Sequence, residues 1–440
     1  VITPRLFLEQ SVDQDAAYER EVDKNYRHNA IFNFLDGAIF WFGLSFMAPA
    51  VIMPLFVSHY TNSSILIGLV AVISSSGFYL PQLFTANWVE HLPLKKKAVV
   101  VYGFFTERVP VFFLAPAALL TFVSGNLALT AVLVAFALHS FGAGFTGVAW
   151  QDMLAKVIPL KSRGKFLGIT TFAGMTTGIL GASVATWLLS RFAFPNGYII
   201  SFALAAVFIF LSWIAIAQTR EVPVYHREIR VTNKEYWKSL PAVIKGDPNF
   251  RRYIISQMVI NLGSMAWGFL AVYALQRWDL SDGKVSLYNV WLLAGQAIAN
   301  LVFGALADRK GYKLILEIGI FLSLLSLAIA ILAPSPSWFT AVFLLRGIGL
   351  GGGFLSLLFI LEFSSPAIRP TYIGLNNTIT GLVSATAPLL GGILAGLIGY
   401  QGIFQVALVC ILAGLALLHF TVRDPRKDNL QPAAEISTTI

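Results

Sequence analysis

One cysteine in 440 residues, Cys410, excludes an intrachain disulfide and a cysteine-cluster metal site. Charge is scarce as well: Asp, Glu, Lys and Arg make up only 12% of the chain, about half the share in an ordinary soluble domain. No Gly-rich phosphate loop leads into Lys-Ser/Thr, so direct ATP drive has no support. No His-Glu-x-x-His or Ser/His/Asp set stands out, which argues against an enzyme. The stretch "GLGGGF" (349–354) lies inside an apolar run with no strand before it and reads as helix packing. Ten-residue alternating strands are missing too, so helices must satisfy the backbone in any membrane. Nothing calls for a cofactor or a metal.

What is abundant is apolar length. Hydrophobic residues reach 57% and the mean hydropathy is +0.72. A hydrocarbon core about 30 Å thick needs roughly 20 apolar residues per helix. Twelve runs qualify: 30–57, 65–88, 98–123, 127–150, 166–190, 197–217, 253–276, 286–307, 314–333, 338–361, 371–398 and 402–421. The expectation is an all-α integral membrane protein with twelve transmembrane helices.

Basic residues orient it. The segment 1–29 is charged and lacks the apolar stretch of a cleaved signal peptide, so the first membrane helix is the expected targeting element. With that segment cytosolic, 26 of the 31 Lys and Arg fall on the inside, in 1–29, 89–97, 151–165, 218–252, 308–313, 362–370 and 422–440. The net charge of +9 then reflects topology and anionic inner-leaflet lipid, without a nucleic-acid partner. Both termini are expected in the cytosol and the protein in the plasma membrane, as in a bacterial inner membrane. The long polar stretch 218–252 separates a bundle at 30–217 from one at 253–421, with 422–440 as a tail. An amphipathic piece around Tyr236, Trp237 and Leu240 suits the inner membrane surface.

Two halves invite a search for a repeat. Ala86-x-x-x-Glu90-His91-Leu92-Pro93-Leu94-Lys95 aligns with Gly304-x-x-x-Asp308-Arg309-Lys310-Gly311-Tyr312-Lys313, and Gln82 aligns with Asn300. Each copy lies between the second and third run of its half. A second echo pairs Asp152 and "RGKFLG" (163–168) with Glu362 and "RPTYIG" (369–374).

"GALADRKGYK" (304–313) resembles the signature loop of the major facilitator superfamily, Gly-x-x-x-Asp-Arg-x-Gly-Arg-Arg/Lys, and with the six-plus-six layout the resemblance covers nearly the whole chain. It implies two pseudo-symmetric six-helix bundles that open a central site alternately to either side, in a functional monomer carrying a small organic substrate and protons. The N-terminal copy departs from the pattern, with Glu90 for Asp, His91 for Arg and Pro93 for Gly. By analogy, Asp308 caps the fifth helix near Arg163, and Glu90 caps the eleventh near Arg369. Arg309 then pairs with Glu362, and His91 more weakly with Asp152. Such contacts form a latch on the cytosolic side.

Charges at membrane depth are candidates for proton coupling. Asp36 lies two turns into the first helix among Phe34, Phe40 and Trp41; it is a proton carrier or a structural acid bonded to Asn33. Glu107 and Arg108 sit at mid-depth in the third helix, where neighbours point about 100° apart, so each needs help from another helix. Arg346 opens "RGIGLGGGF", and its counterpart is His139, either a buried structural imidazole or a titrating one. "APLLGGILAG" (387–396) resembles a Gly-Pro-x-x-Gly-Gly signature of the family's antiporters, although that motif usually belongs to the fifth helix.

Cavity candidates are aromatic or neutral amide: Trp41, Phe145, Trp150 and Trp267, with Gln257, Asn261, Asn289, Gln296, Asn376 and Asn377. Such walls suit an amphipathic, poorly charged or weakly cationic ligand. Three readings stay open: proton-coupled export of such a compound, uptake of a neutral solute such as a sugar or nucleoside, and a lipid flippase or membrane assembly factor.

Overall fold

The computed structural model describes residues 4–90, 92–223, 244–351, 356, 359, 360, 362, 363 and 369–425. The side chains of 4–17, 83, 86, 87, 90, 160, 305, 308 and 369–371 fall outside that description. Among the described residues every regular element is helical and no strand occurs. Among the described residues ten helices are long and apolar enough to cross a membrane. Tyr372–Thr421 takes two of the expected runs. At 1.5 Å per residue it would span about 75 Å, far beyond one bilayer, and it turns at Gly399, whose φ of 72° suits glycine. Trp338–Gly351 is a shorter apolar helix on the tenth run. Each of the twelve runs therefore carries helix.

The chain divides into two compact units, Val1–Ala48 with Leu80–Ile229, and Pro49–Tyr79 with Arg230–Ile440. The first membrane helix is longer than expected, because Pro4–Leu44 continues without a break from the charged amino-terminal segment. Its extension packs on the first unit: Tyr18 donates to the Lys156 carbonyl at 3.4 Å, and Asp23 pairs with Lys161 at 3.5 Å.

The first helix of each half is interrupted. After Leu44 a 3₁₀ turn at Ser45–Met47 leads to Ala48, held extended (ψ 120°) because Pro49 follows it, and helix resumes at Ile52–Ser58. The seventh starts at Pro248, capped by Asp247 Oδ1 accepting from the Phe250 amide at 2.9 Å. It tightens to 3₁₀ over Gly263–Phe269 and resumes at Leu270–Trp278. In the second unit the segment 49–79 packs against this helix and the eleventh; Ser76 donates to the Ala385 carbonyl at 3.5 Å. His59 Nε2 meets Asp282 Oδ2 at 2.6 Å, tying the same segment to helix Asp282–Lys310.

The third helix is irregular for a local reason. Pro110 has no N–H to give the Thr106 carbonyl, and the backbone runs as π turns at Ala98–Tyr102 and Phe104–Arg108. Trp213 Nε1 donates to the Val100 carbonyl at 2.8 Å. Gly142 lets the fourth helix approach closely: a Cβ there would lie 2.6 Å from the Glu107 nitrogen.

Candidate functional site

In the first unit, ionisable groups from three helices gather out of water, with a serine from a fourth. Asp36 is 5% exposed and accepts from Ser212 of the sixth helix at 2.5 Å. The charges of Arg108 and Glu107 both act on it. Asn33 does not hold Asp36; it donates to the Asn29 carbonyl at 2.8 Å and to Thr219 Oγ1 at 3.1 Å.

Glu107 and Arg108 are buried on the π turn Phe104–Arg108 of the third helix. They form an ion pair with each other, because a π turn winds less per residue than an α turn and brings neighbours towards one face. Other helices still contribute. Thr146 of the fourth helix donates to Glu107 Oε2 at 3.0 Å, and the Arg108 guanidinium lies 5.1 Å from the Phe40 ring centroid. His139 is 5% exposed and its Nδ1 sits 2.9 Å from the Glu107 carbonyl. A carbonyl only accepts, so Nδ1 carries the proton.

The basic end of this unit holds a cluster that sequence reasoning had only half identified. Lys95, 3% exposed, donates from Nζ to the Val89 carbonyl at 2.5 Å and pairs with Asp152 at 3.3 Å. Glu221 accepts from the backbone amides of Lys95 and Lys96 at 3.0 and 2.6 Å and faces Lys156 at 3.8 Å. Burial pulls the Lys96 ammonium below its ordinary range, with Glu221 opposing. Asp152 thus has Lys95 as its partner, while His91 lies outside the described residues. Arg163 folds back onto the carbonyls of Ala155 and Ile158. The repeat alignment of Lys95 with Lys313 was the available signal, since both occupy the start of the third helix of a half.

In the second unit, Arg346 stands 3.9 Å from the Trp267 ring centroid and donates to Ser323 at 3.3 Å. Trp267 belongs to the 3₁₀ break, so the arginine braces the irregular backbone. Asn261 donates to the Gln257 carbonyl at 2.8 Å and accepts from Ser384 at 3.1 Å. Gln257, Asn289 and Asn376 are buried, and Gln257 Nε2, Asn289 Nδ2 and Asn376 Oδ1 have no hydrogen-bond partner among the described residues. Asn376 Nδ2 lies 3.4 Å from Asn377 Oδ1. Gln296 is half-buried on the eighth helix. Of the remaining aromatic candidates, Trp41 packs against Gly174 and Phe145 lies beside Trp88 at 5.3 Å, whereas Trp150 is 38% exposed. The side chains of Glu90, Asp308 and Arg369 lie outside the described residues; Arg309 is exposed and Glu362 half-buried.

Residues 253–440 match the family model described as Major Facilitator Superfamily. An uncharacterised MFS-type transporter of Methanocaldococcus jannaschii is 25% identical over 429 residues, covering 94% of this chain and 99% of that protein. The multidrug resistance protein MdtL of Salmonella typhi is 30% identical over 158 residues, 35% of this chain and 40% of MdtL. Among solved structures, the nucleoside transporter NupG superposes with a TM-score of 0.60 at 14% identity, over 90% of this chain and 99% of that one. The human organic anion transporter MFSD10 gives 0.58 at 14% identity, over 89% and 99%. At these identities the structures show a shared fold alone.

Proposed function

We propose that this chain, which belongs to the major facilitator superfamily, exports an amphipathic organic compound in exchange for protons by alternating access. The observation that carries this reading is the buried Asp36 carboxylate, held by Ser212 beside the Glu107–Arg108 pair. Charge in a membrane helix is costly and persists where a proton or ion path uses it. Asp36 is the group that exchanges the proton; Arg108 offers a counter-charge when it is ionised. Similarity to a multidrug resistance protein over part of the chain supports efflux. Arg346 is engaged with Trp267, which leaves the aromatic and amide surfaces poor in cations for anionic cargo.

In this reading both termini are cytosolic, the protein works as a monomer in the plasma membrane, and the basic clusters close its inner side. Lys95 with Asp152 is one element of that closure.

A second reading, uptake of a neutral solute such as a sugar or nucleoside, draws on the buried unpartnered amide atoms of Gln257, Asn289 and Asn376. Proteoliposomes enclosing a pH dye separate the two. Lipophilic cations that move protons in the wild type but not in Asp36→Asn support coupled export. Sugar or nucleoside counterflow without proton movement would replace it with the second reading, and silence to every solute would favour lipid handling or an assembly role.

A further inference from the structure

The ninth helix, Tyr312–Leu332, and the last part of Tyr372–Thr421 enclose a groove of about 380 Å³. Its walls are Leu314, Ile318, Phe321, Leu412, Leu415 and Ala416. Several of these side chains stand open: Leu314 is 44%, Phe321 51% and Leu412 53% exposed, with Phe420 at 82% beside them. So much exposed apolar surface on a membrane-spanning helix is compatible with hydrocarbon and not with water.

Polarity is confined to one end. Glu317 lines the groove there, turned towards Lys313 at 3.4 Å and His419 Nδ1 at 3.2 Å. Lys313 also donates to the carbonyls of His419 and Val422 at 3.1 and 2.7 Å. Arg252, exposed, reaches the Thr421 carbonyl at 3.3 Å with one nitrogen. Glu317 is therefore already met by a lysine and an imidazole; Asp424, close to Gly311, is a second carboxylate here, and Arg252 with Lys310 and Arg423 keeps this end basic.

We infer that the groove is a site for one anionic phospholipid, an acyl chain lying between the two helices and the phosphate held by Arg252 at the basic end. A guanidinium takes phosphate through paired N–H donors, and a basic residue at the membrane surface favours anionic over zwitterionic headgroups. The inference is independent of what the protein carries.

Native mass spectrometry of the purified full chain tests it, with phosphatidylglycerol and phosphatidylcholine of identical acyl chains as probes. The expected result is one phosphatidylglycerol retained at collision energies that strip phosphatidylcholine. Ala416→Phe, which fills the groove, should remove that adduct. Arg252→Gln should erase the preference, a change of about fivefold in relative retention. Leu412→Phe serves as a second groove-filling variant, and each variant must elute as a single species. Equal retention of both lipids, unmoved by either filling variant, would overturn the site. Loss on filling without any effect of Arg252→Gln would overturn the headgroup assignment.

Discussion

Asn29 grips the backbone of Arg220 with both ends of its amide, donating from Nδ2 to the carbonyl at 2.9 Å and accepting at Oδ1 from the amide at 2.7 Å. Asn249 does the same to Arg423, at 3.0 and 2.8 Å. In each unit this joins the residues just before the first apolar run of that half to the segment leaving its last. The repeat seen between the second and third helices therefore has a structural counterpart that the sequence alignment did not reach.

Asn29 is 1% exposed, whereas Asn249 is half-exposed. Asn29→Ala leaves a buried backbone donor and acceptor unmet and should cost about 1–3 kcal/mol. Water can replace Asn249, so Asn249→Ala should cost about 1 kcal/mol or less. Thermal unfolding of the full chain in detergent measures both. Equal losses would show that burial does not set the strength of the clasp.

A buried ion pair is costly to break from one side and cheap to replace as a unit. Glu107→Gln or Arg108→Met alone should destabilise by about 3–5 kcal/mol, and the double variant by far less. Transport by the double variant assigns the pair's role: retained proton movement makes it structural, and its loss makes it part of the path.

Asp36→Asn keeps the shape and the Ser212 contact while removing a titratable proton. Counterflow of labelled cargo should survive, and cargo-driven acidification should fall to background. If acidification persists, Asp36 is not the coupling group.

Arg346 stacks on Trp267 through a planar guanidinium, a geometry an ammonium does not reproduce. Arg346→Lys should weaken the brace on the seventh-helix break by about 0.5–2 kcal/mol. Trp267→Leu should cost a similar amount, and the double variant no more than the larger single loss. A thermal-unfolding cycle with additive losses would mean the two residues act independently.

The apolar runs determined that this chain is helical and membrane-embedded, because the alternating strands of a barrel are missing and a helix is then what satisfies a backbone in hydrocarbon. The sparse charge likewise singles out Asp36, Glu107, Arg108 and Arg346 in the sequence. Tertiary structure decided who partners whom. Pro110 and the close approach at Gly142 accompany the π turn that brings Glu107 and Arg108 towards one face, where an α turn would hold them about 100° apart. Asp152 received Lys95, and Asp36 received Ser212, a serine unremarkable in its own apolar helix. Helix type and membrane depth follow from local composition, whereas a hydrogen bond across 100 or more residues depends on how helices are rotated against each other, and no local pattern encodes that rotation.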